Sequence, residues 1–388
     1  MSGLSYLEKL LDGVEVEWLL LGDVTRYEQP GKYLVESSNY SDDFNVPVLT
    51  AGKTFILGYT DETHGVYNAS QHPVIIFDDF TTANKWVDFN FKAKSSAMKM
   101  ITSSDERKTL LKYVYYWLNT LPGELTDGDH KRQWISNFSN KKIPVPPLTI
   151  QSEIVRILDT FTALTNELTN ELTNELKLRQ KQYNYYREQL LSFEEGEVEW
   201  KFLGDASFFE IANNGRKPVK SSLRVAGKTP YYGANNIQDY VDGYTHDGEY
   251  VLIAEDGSTS LECYSIQYTT GKFWANNHVH VVRGKSGVSS RFLYHYLHIV
   301  NFIPFLTGGV RAKLTKGQLV EIPVPIPCPD NPEKSLAMQS EIVRILDKFD
   351  TLTNSISEGL PREIELRKKQ YEHYRNLLFS FPKPVTDN

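Results

Sequence analysis

Cysteine, long apolar runs and positive charge are all scarce in this sequence, and each scarcity excludes a class of protein. The 388 residues include only Cys263 and Cys328, too few and too distant for a disulfide framework or a four-ligand zinc site. We therefore expect a reducing cytoplasm. No apolar run approaches the roughly 20 residues that span a bilayer, and the first residues show no signal-peptide pattern. The net charge of −7 argues against a non-specific nucleic-acid binder.

Motifs that would indicate an enzyme are also missing. AGKT occurs at 51–54 and 226–229, but a phosphate-binding loop needs glycine where Pro47 and Ser222 stand. No NPP-aromatic or DPPY signature of adenine methylation is present, and the nine histidines show no metal-ligand spacing. We expect a non-catalytic chain that binds no metal and no cofactor. An autonomous endonuclease or methyltransferase is the disfavoured alternative.

The sequence contains one plan written twice. Residues 151–161 (QSEIVRILDTF) and 339–349 (QSEIVRILDKF) share ten of eleven residues at an offset of 188. The match resumes at the same offset with RQKQYNYYREQLLSF at 179–193 and RKKQYEHYRNLLFSF at 367–381. A proline-rich stretch, IPVPP or IPVPIPCP, precedes each copy. An internal repeat of this kind predicts two similar structural units.

Each repeated segment predicts a long helix. In the first copy, isoleucine, phenylalanine and leucine recur at spacings of three and four, the period of a helix with one apolar face. We expect this helix from about residue 149 to 193, over roughly 68 Å. A helix with one apolar stripe needs a partner, and the second copy, at about 335–381, is the obvious antiparallel one. Gly359 and Pro361 should kink or restart the second helix.

The regions between the helices mix β-rich runs with one helix each. PVIIFDDF (73–80) and EYVLIAEDG (249–257) predict buried strands that end in acidic turns. Residues 103–121 and 289–300 predict serine-capped helices. Residues 20–146 carry 14 basic and 15 acidic side chains and residues 201–329 carry 13 and 10, which leaves −9 for the helices and termini. An acidic rod suits protein partners better than phosphates.

Together these features resemble the specificity subunit of type I restriction–modification systems over the whole chain. The resemblance rests on the repeats above, the EVEWLLLGD and EVEWKFLGD phrases, and three longer stretches at 74–100, 231–257 and 271–284. It implies an α+β fold with two target-recognition domains separated by two long antiparallel helices, a coiled coil, in a pseudo-twofold circular repeat. The division it implies is 1–146 for the first target-recognition domain, 147–195 for the first spacer helix, 196–330 for the second domain and 331–388 for the second spacer helix.

The resemblance also implies a function. Each domain would read one half of a bipartite site in double-stranded DNA, and the chain itself would not be catalytic. Its partners would be two modification subunits, which methylate adenine with S-adenosylmethionine, and restriction subunits, which translocate and cut DNA with ATP and Mg²⁺; no membrane is involved. Because the two domains differ in sequence, we expect two different half-sites. The alternative from another class is a coiled-coil scaffold that binds only protein.

The strictest pattern is the unit Thr-Asn-Glu-Leu, which occurs three times at residues 165–176. Four helical residues add about 6 Å of rise and about 40° of net rotation, whereas one base pair adds ~3.4 Å and ~35°. We interpret the repeat as a ruler between two DNA readers. The ruler leucines are Leu164, Leu168, Leu172 and Leu176. The alternative is a plain leucine-striped helix, although threonine and asparagine are mediocre helix formers.

Base readout requires basic, amide and hydroxyl side chains at the DNA grooves. The polar stretches FTTANK, FKAKSS, NNGRK, GANN and WANN are candidates, as are DGDHKRQW and TGGVRAKL, where counting back from IPVP makes Arg132 and Arg311 equivalent. The predicted DNA-binding residues are Thr81, Thr82, Lys92, Lys94, Ser95, Lys131, Arg132, Arg216, Lys217, Asn235, Asn236, Asn276, Asn277, Arg311 and Lys313. We interpret the acidic pairs Asp78–Asp79 and Glu255–Asp256 as strand-end turns with satisfied carboxylates; the alternative is that they accept hydrogen bonds from cytosine N4.

The resemblance places the protein partners on the repeated helices. The predicted partner-binding residues are Ile154, Ile157, Leu158, Tyr183, Tyr186 and Arg187 in the first copy, and Ile342, Ile345, Leu346, Tyr371, Tyr374 and Arg375 in the second.

Overall fold

The computed structural model describes residues 6–52, 54–122, 132–194, 196–308, 312–355 and 357–382. The helices in these ranges are α1 (Tyr6–Leu11), α2 (Leu21–Val24), α3 (Leu111–Leu118), α4 (Gln133–Ser136), α5 (Leu148–Leu191), α6 (Ser290–Leu297), α7 (Lys316–Leu319), α8 (Pro332–Asn354) and α9 (Gly359–Leu378). None of these helices combines the length and apolarity that a membrane span requires.

The strands alternate with these helices along the chain. They are β1 (Glu17–Leu20), β2 (Thr25–Glu28), β3 (Val46–Leu49), β4 (Ile56–Thr60), β5 (Val74–Asp78), β6 (Asn84–Val87), β7 (Lys92–Ala93), β8 (Met98–Ser103), β9 (Lys142–Val145), β10 (Val198–Phe202), β11 (Phe209–Ile211), β12 (Ala226–Tyr232), β13 (Ile237–Val241), β14 (His246–Asp247), β15 (Tyr250–Ala254), β16 (Ile266–Thr269), β17 (Lys272–Ala275), β18 (Val279–Gly284) and β19 (Pro323–Pro327).

The chain divides into two units. Unit 1 comprises Met1–Glu171 and Ile364–Asn388, and unit 2 comprises Leu172–Glu363. Unit 1 therefore contains the first part of α5 and most of α9, whereas unit 2 contains the rest of α5 and all of α8. The first boundary falls inside the Thr-Asn-Glu-Leu repeat.

The two units share one sheet topology, except that the second sheet of unit 2 has an additional strand, β14. Unit 1 has a four-stranded antiparallel sheet (β2-β8-β5-β6), a three-stranded sheet (β4-β3-β7) and a ribbon (β1-β9). Unit 2 repeats these as β11-β18-β15-β16, β13-β12-β17-β14 and β10-β19. In the second sheet of each unit, one pair is antiparallel, β3-β4 in unit 1 and β12-β13 in unit 2. The neighbouring pair, β3-β7 or β12-β17, is parallel. The internal repeat of the sequence is thus a repeat of architecture.

One inner strand of the first sheet in each unit, β5 in unit 1 and β15 in unit 2, is buried along its whole length. Every residue of β5 and of β15 is buried, which confirms the two predicted apolar strands. Ile75 pairs with Ile101 in unit 1, and Val251 pairs with Val282 in unit 2. This matching register makes residue 79, just after β5, equivalent to residue 255, just after β15.

Only one of the two predicted serine caps exists. Ser289 caps α6, because its side chain accepts a hydrogen bond from Phe292 N at 3.3 Å. Helix α3 instead begins at Leu111 without a side-chain cap. Ser103 remains in β8, where its hydroxyl donates to the carbonyl oxygen of Thr109 at 2.6 Å. The predicted cap is wrong for unit 1 because this serine is engaged by the segment that precedes the helix.

The long helix and the interruption of its second copy are confirmed. Helix α5 is continuous over 44 residues, whereas the second copy ends at Asn354 and restarts at Gly359. Gly359 has φ +78°, and a Cβ there would lie 2.4 Å from the carbonyl oxygen of Thr351. Only glycine fits this restart.

Helices α5 and α9 run antiparallel where they meet in unit 1. The rings of Phe161 and Tyr374 lie 5.7 Å apart, and one residue later on α5 the hydroxyls of Thr162 and Tyr371 lie 2.9 Å apart. Residue numbers rise along one helix as they fall along the other, as the sequence predicts.

One carboxylate joins each α/β region to its long helix. In unit 1, Asp159 Oδ1 accepts from the Tyr116 hydroxyl at 2.5 Å and lies 3.0 Å from Lys112 Nζ. At the same repeat position in unit 2, Asp347 Oδ1 contacts Arg291 Nε at 2.6 Å and His295 Nε2 at 2.7 Å. The helix keeps the acceptor while the donors on α3 and α6 differ.

Candidate nucleic-acid interface

The predicted polar stretches of unit 2 meet at the turn that follows β15. Arg216 Nη1 donates to Glu255 Oε2 at 2.6 Å, and Lys313 Nζ lies 3.0 Å from Glu255 Oε1. The backbone takes part too, because the Leu314 amide donates to the Glu255 carbonyl oxygen at 2.8 Å. One glutamate therefore gathers residues nearly 100 positions apart in sequence.

The two asparagine-rich stretches join the same turn. Asn235 Nδ2 donates to the carbonyl oxygen of Gly257 at 2.8 Å. The Glu255 amide donates to the carbonyl oxygen of His278 at 2.8 Å, and His278 Nδ1 lies 2.5 Å from Asp256 Oδ1. We call residues 255–257 the β15 turn. It brings together the stretches NNGRK, GANN and WANN with Lys313 and Leu314, the last two residues of TGGVRAKL.

A buried histidine, His280, is hydrogen-bonded to two segments that meet at the β15 turn. Asn213 Nδ2 donates to His280 Nδ1 at 2.8 Å, and His280 Nε2 donates to the carbonyl oxygen of Leu314 at 2.7 Å. Burial lowers the pKa of this imidazole, so it remains neutral. Burial also raises the pKa of Glu255, but the hydrogen bonds from Arg216 and Lys313 outweigh it and the pKa is lowered. The turn therefore holds a charged carboxylate clamped by two cations.

Unit 1 has the same construction with different chemistry. The amides of Gln133 and Trp134 donate to the carbonyl oxygen and to Oδ1 of Asp79, both at 2.8 Å. Lys99 stands where unit 2 has His280, and its ammonium lies buried 3.5 Å from Asp79 Oδ2. Asp78 Oδ1 accepts from the amides of Phe80 and Thr81. These contacts bring the FTTANK stretch and the segment after Arg132 together at a turn that we call the β5 turn (residues 78–82).

The anchoring hydrogen bonds correct one predicted equivalence. Gln133 N bonds the residue after β5, and Leu314 N bonds the residue after β15. Arg132 is therefore equivalent to Lys313, not to Arg311. Counting back from IPVP failed because the connection to the last strand is two residues longer in unit 1.

Several predicted DNA-binding residues are presented to solvent. Exposed members of the set are Thr81, Lys94, Arg132, Lys217, Asn236 and Asn277, and partly exposed members are Ser95 and Lys313. Lys131 and Arg311 lie outside the described residues.

Five other predicted DNA-binding residues are buried or bonded to other residues of the fold, and their contact with DNA stays a prediction. Lys92 is 1% exposed and pairs with Glu62 at 2.5 Å. Thr82 is buried, with φ +62° in the β5 turn. Asn276 is buried, and its Oδ1 accepts from His278 N. Arg216 donates to Glu255 and to the carbonyl oxygens of residues 213 and 279. Asn235 Oδ1 accepts from Thr259 N and from Ser265 Oγ.

The sequence did not identify Asp79 and Glu255 as organising residues. Both were read as satisfied turn carboxylates, which the geometry confirms, but their partners could not be read from the sequence. The only signal was their position, directly after the two most apolar strands.

The predicted partner-binding set divides by burial. The side chains of five members, which lie in the cores of their own units, are buried: Ile154, Leu158, Tyr183, Ile342 and Leu346. Tyr186 and Tyr374 are exposed, whereas Ile157, Arg187, Ile345, Tyr371 and Arg375 are partly exposed. Among the ruler leucines, Leu164 is exposed and Leu168, Leu172 and Leu176 are partly buried.

Comparison with known proteins agrees with this architecture. A family model described as the type I restriction modification DNA specificity domain matches residues 14–178 and 197–366. The EcoR124I/EcoR124II specificity subunit of Escherichia coli is 52% identical over 415 residues, covering 100% of this chain and 99% of the relative. The EcoprrI specificity subunit of Escherichia coli is 32% identical over 92% of this chain and 93% of its own length.

A solved structure shares the fold. The S subunit of the type I restriction–modification system from M. genitalium superposes with a TM-score of 0.54 at 18% identity, covering 98% of this chain and 100% of that one. Two matches to the same family model, full-length relatives and a common fold lead to one conclusion: this chain belongs to the family of type I restriction–modification specificity subunits, with two DNA specificity domains.

Proposed function

We propose that this chain gives a type I restriction–modification complex its DNA sequence specificity, with one half of a bipartite site read by each unit. Residues 1–146 and 196–330 would be the two target-recognition domains, and residues 147–195 and 331–388 the spacer helices. The β5 turn and the β15 turn, with Arg132 and Lys313 beside them, would face the DNA.

One observation carries the proposal. The same scaffold holds a polar turn at the same place in both units, but the side chains there differ. In unit 1 a buried lysine, Lys99, pairs with Asp79, whereas in unit 2 Arg216 and Lys313 pair with Glu255. A shared frame with exchanged side chains is what two readers of different base sequences require.

The catalytic steps would belong to partners. Two modification subunits would supply adenine methylation with S-adenosylmethionine, and restriction subunits would supply ATP- and Mg²⁺-dependent translocation and cleavage. The exposed Tyr186 and Tyr374 on the spacer helices support such docking, since exposed aromatic side chains are enriched at protein interfaces. The chain would act in the cytoplasm, with the DNA it reads.

The Thr-Asn-Glu-Leu repeat would set the gap between the half-sites. It lies within one unbroken helix, and Thr169 shows how the unit is tolerated, because its hydroxyl donates to the carbonyl oxygen of Thr165 one turn earlier. Additional units would therefore extend α5 without a new structural demand.

Single-molecule methylome sequencing tests the proposal. Cells that express this chain with its modification subunit are compared with cells that lack it. The expected result is a new adenine-methylated motif with two half-sites and a fixed gap. No new motif, in the presence of a purified complex with a methylation-competent modification subunit, would favour a protein scaffold.

A further inference from the structure

Unit 2 carries a positively charged segment between its first short helical turn and β12. Residues 216–225 contain four basic side chains and no acidic one. The segment begins at Arg216, which is clamped on Glu255, so it leaves directly from the β15 turn. We call residues 216–225 the cationic segment.

The backbone of the cationic segment is fixed at several points. Trp274 Nε1 donates to the carbonyl oxygen of Lys217 at 2.7 Å, and the Val219 amide donates to the Tyr231 hydroxyl at 3.0 Å. The Arg224 guanidinium lies 4.1 Å from the centre of the Tyr231 ring and pairs with Asp239 at 3.4 Å. A segment held this way presents its remaining side chains with little loss of conformational entropy.

The segment exposes two apolar side chains together with two lysines. Leu223 and Val225 are 70% and 68% exposed, the highest values among the large apolar side chains that the structure describes. Lys217 and Lys220 are exposed beside them, and within the described residues neither ammonium forms a salt bridge. Asp242 lines the cleft beside this segment, and its Oδ1 accepts a hydrogen bond from the Gly243 amide.

The equivalent segment of unit 1 has the opposite charge. Residues 34–45 connect the short helical turn at Pro30–Tyr33 to β3, as residues 216–225 connect the turn at Asn213–Gly215 to β12. They contain three acidic side chains, Glu36, Asp42 and Asp43, and no basic one. The fold therefore does not require cations at this position, so the charge of unit 2 calls for another explanation.

We propose that the cationic segment is a second DNA contact, present in unit 2 and not in unit 1. Lys217 and Lys220 neutralise backbone phosphates, while Leu223 and Val225 pack against sugars and base edges in the groove. Phosphate attracts exposed lysines, and apolar side chains flanked by cations are a recurrent means of entering the minor groove. The inference rests on the proposed function and adds an asymmetric contact to it.

The test measures DNA affinity of the complete complex as a function of salt. The probes are a 30-base-pair duplex carrying the methylated motif and a duplex of the same length with a scrambled sequence. The Lys217→Gln/Lys220→Gln variant should reduce the slope of log K against log salt by about 0.9 for each lost phosphate contact. Leu223→Ala should weaken binding by on the order of tenfold without changing that slope.

Matched controls are Lys369→Gln and Leu178→Ala, an exposed lysine on α9 and a 60% exposed leucine on α5. Neither should change affinity or slope.

An unchanged slope in the lysine variant, or unchanged affinity in Leu223→Ala, overturns the inference. Loss of the modification subunit from the variants, with DNA affinity per complex retained, overturns it in favour of a protein interface. Equal binding of both duplexes by the wild type would instead contradict the proposed function itself.

Discussion

At the scale of a single residue, Glu255 stabilises the β15 turn that we propose faces the DNA. Its carboxylate is shared by Arg216 and Lys313, and its side chain is 15% exposed. Glu255→Gln preserves the shape but removes the charge, so we expect the free energy of unfolding of unit 2 to fall by about 2–3 kcal/mol, the range for hydrogen bonds to charged groups. Urea denaturation measures this loss, and recognition of one half-site should weaken with it.

The loss of unfolding free energy in Glu255→Gln should depend on pH. The folded state lowers the pKa of Glu255, so its stabilisation is present above the ordinary carboxyl pKa of 4.5 and is lost as pH falls through the folded value. The difference between wild type and variant should therefore shrink below about pH 4.5. Glu262→Gln, at an exposed glutamate of the same unit, is the control. A similar loss in the control would contradict the assigned role.

His298 makes unit 2 sensitive to mild acid. Burial, with the neighbouring Arg187 and His295, lowers the pKa of His298 from 6.5 to about 3, although Asp350 opposes this. A lowered histidine pKa means that stability is full above pH 6.5 and declines toward pH 3. Each buried histidine of this kind contributes at most about 1.4 kcal/mol per pH unit.

The variant His298→Asn should flatten this decline. Asparagine is the residue that unit 1 has at the equivalent position, Asn119, and it does not titrate. Urea denaturation of both proteins at pH 7.5, 6 and 5 gives the slopes. His295 also has a lowered pKa and stays in the variant, so the decline should lessen without vanishing. Equal slopes in wild type and variant would refute the prediction; exposed His373→Asn is the control.

At the scale of elements, the carboxylates on the long helices fix the α/β regions to them. Arg291 is only 19% exposed where it meets Asp347, whereas Lys112 is 34% exposed where it meets Asp159. A double-mutant cycle with Asp347→Ala and Arg291→Ala should give a coupling energy of about 1–2 kcal/mol. The same cycle with Asp159→Ala and Lys112→Ala should give less than about 1 kcal/mol, because solvent screens the pair. A larger coupling in unit 1 would reverse this reasoning.

The four-residue repeat yields a second prediction at this scale. Deleting residues 169–172 removes one Thr-Asn-Glu-Leu unit and shortens α5 by about 6 Å. We expect the gap between the methylated half-sites to shorten by one or two base pairs while both half-sites keep their sequences. Methylome sequencing reports both quantities. An altered half-site, or an unchanged gap, would show that the repeat is an ordinary stretch of helix.

The elements also show how far the sequence determines the fold. Periodicity was sufficient for α5 and for the restart at Gly359, because a long apolar stripe and a glycine–proline pair act locally. The cap of α3 was wrongly predicted because the Ser103 hydroxyl bonds the carbonyl oxygen of Thr109. Lys92 and Arg216 pair with Glu62 and Glu255, which lie 30 and 39 residues away, and Asn276 is buried; the sequence indicated none of this. Residue type indicates what a side chain can bind, whereas tertiary contacts determine whether it is free.

At the scale of the whole molecule, the two units should recognise DNA independently. Arg132 and Lys313 occupy equivalent positions beside the β5 and β15 turns. Arg132→Gln should relax or weaken recognition of one half-site and leave the other intact, and Lys313→Gln should do the reverse. Discrimination should fall by about 1–3 kcal/mol if the side chain contacts a base. Binding to duplexes altered in one half-site at a time measures this, and a variant that affects both halves equally would contradict independent reading.

Each copy of the repeated helix has an aspartate at the same position, and this has a consequence for inheritance. Asp159 contacts a lysine and a tyrosine, whereas Asp347 contacts an arginine and a histidine. The same helical position therefore accommodates two different α/β regions. A gene segment encoding a new region needs only two suitable donors on one helix to be accommodated. The matching segments at 151–161 and 339–349 provide two similar positions at which such a region can be joined to a helix. Half of the specificity can thereby be exchanged in one event, without a change in the helix that receives the new region.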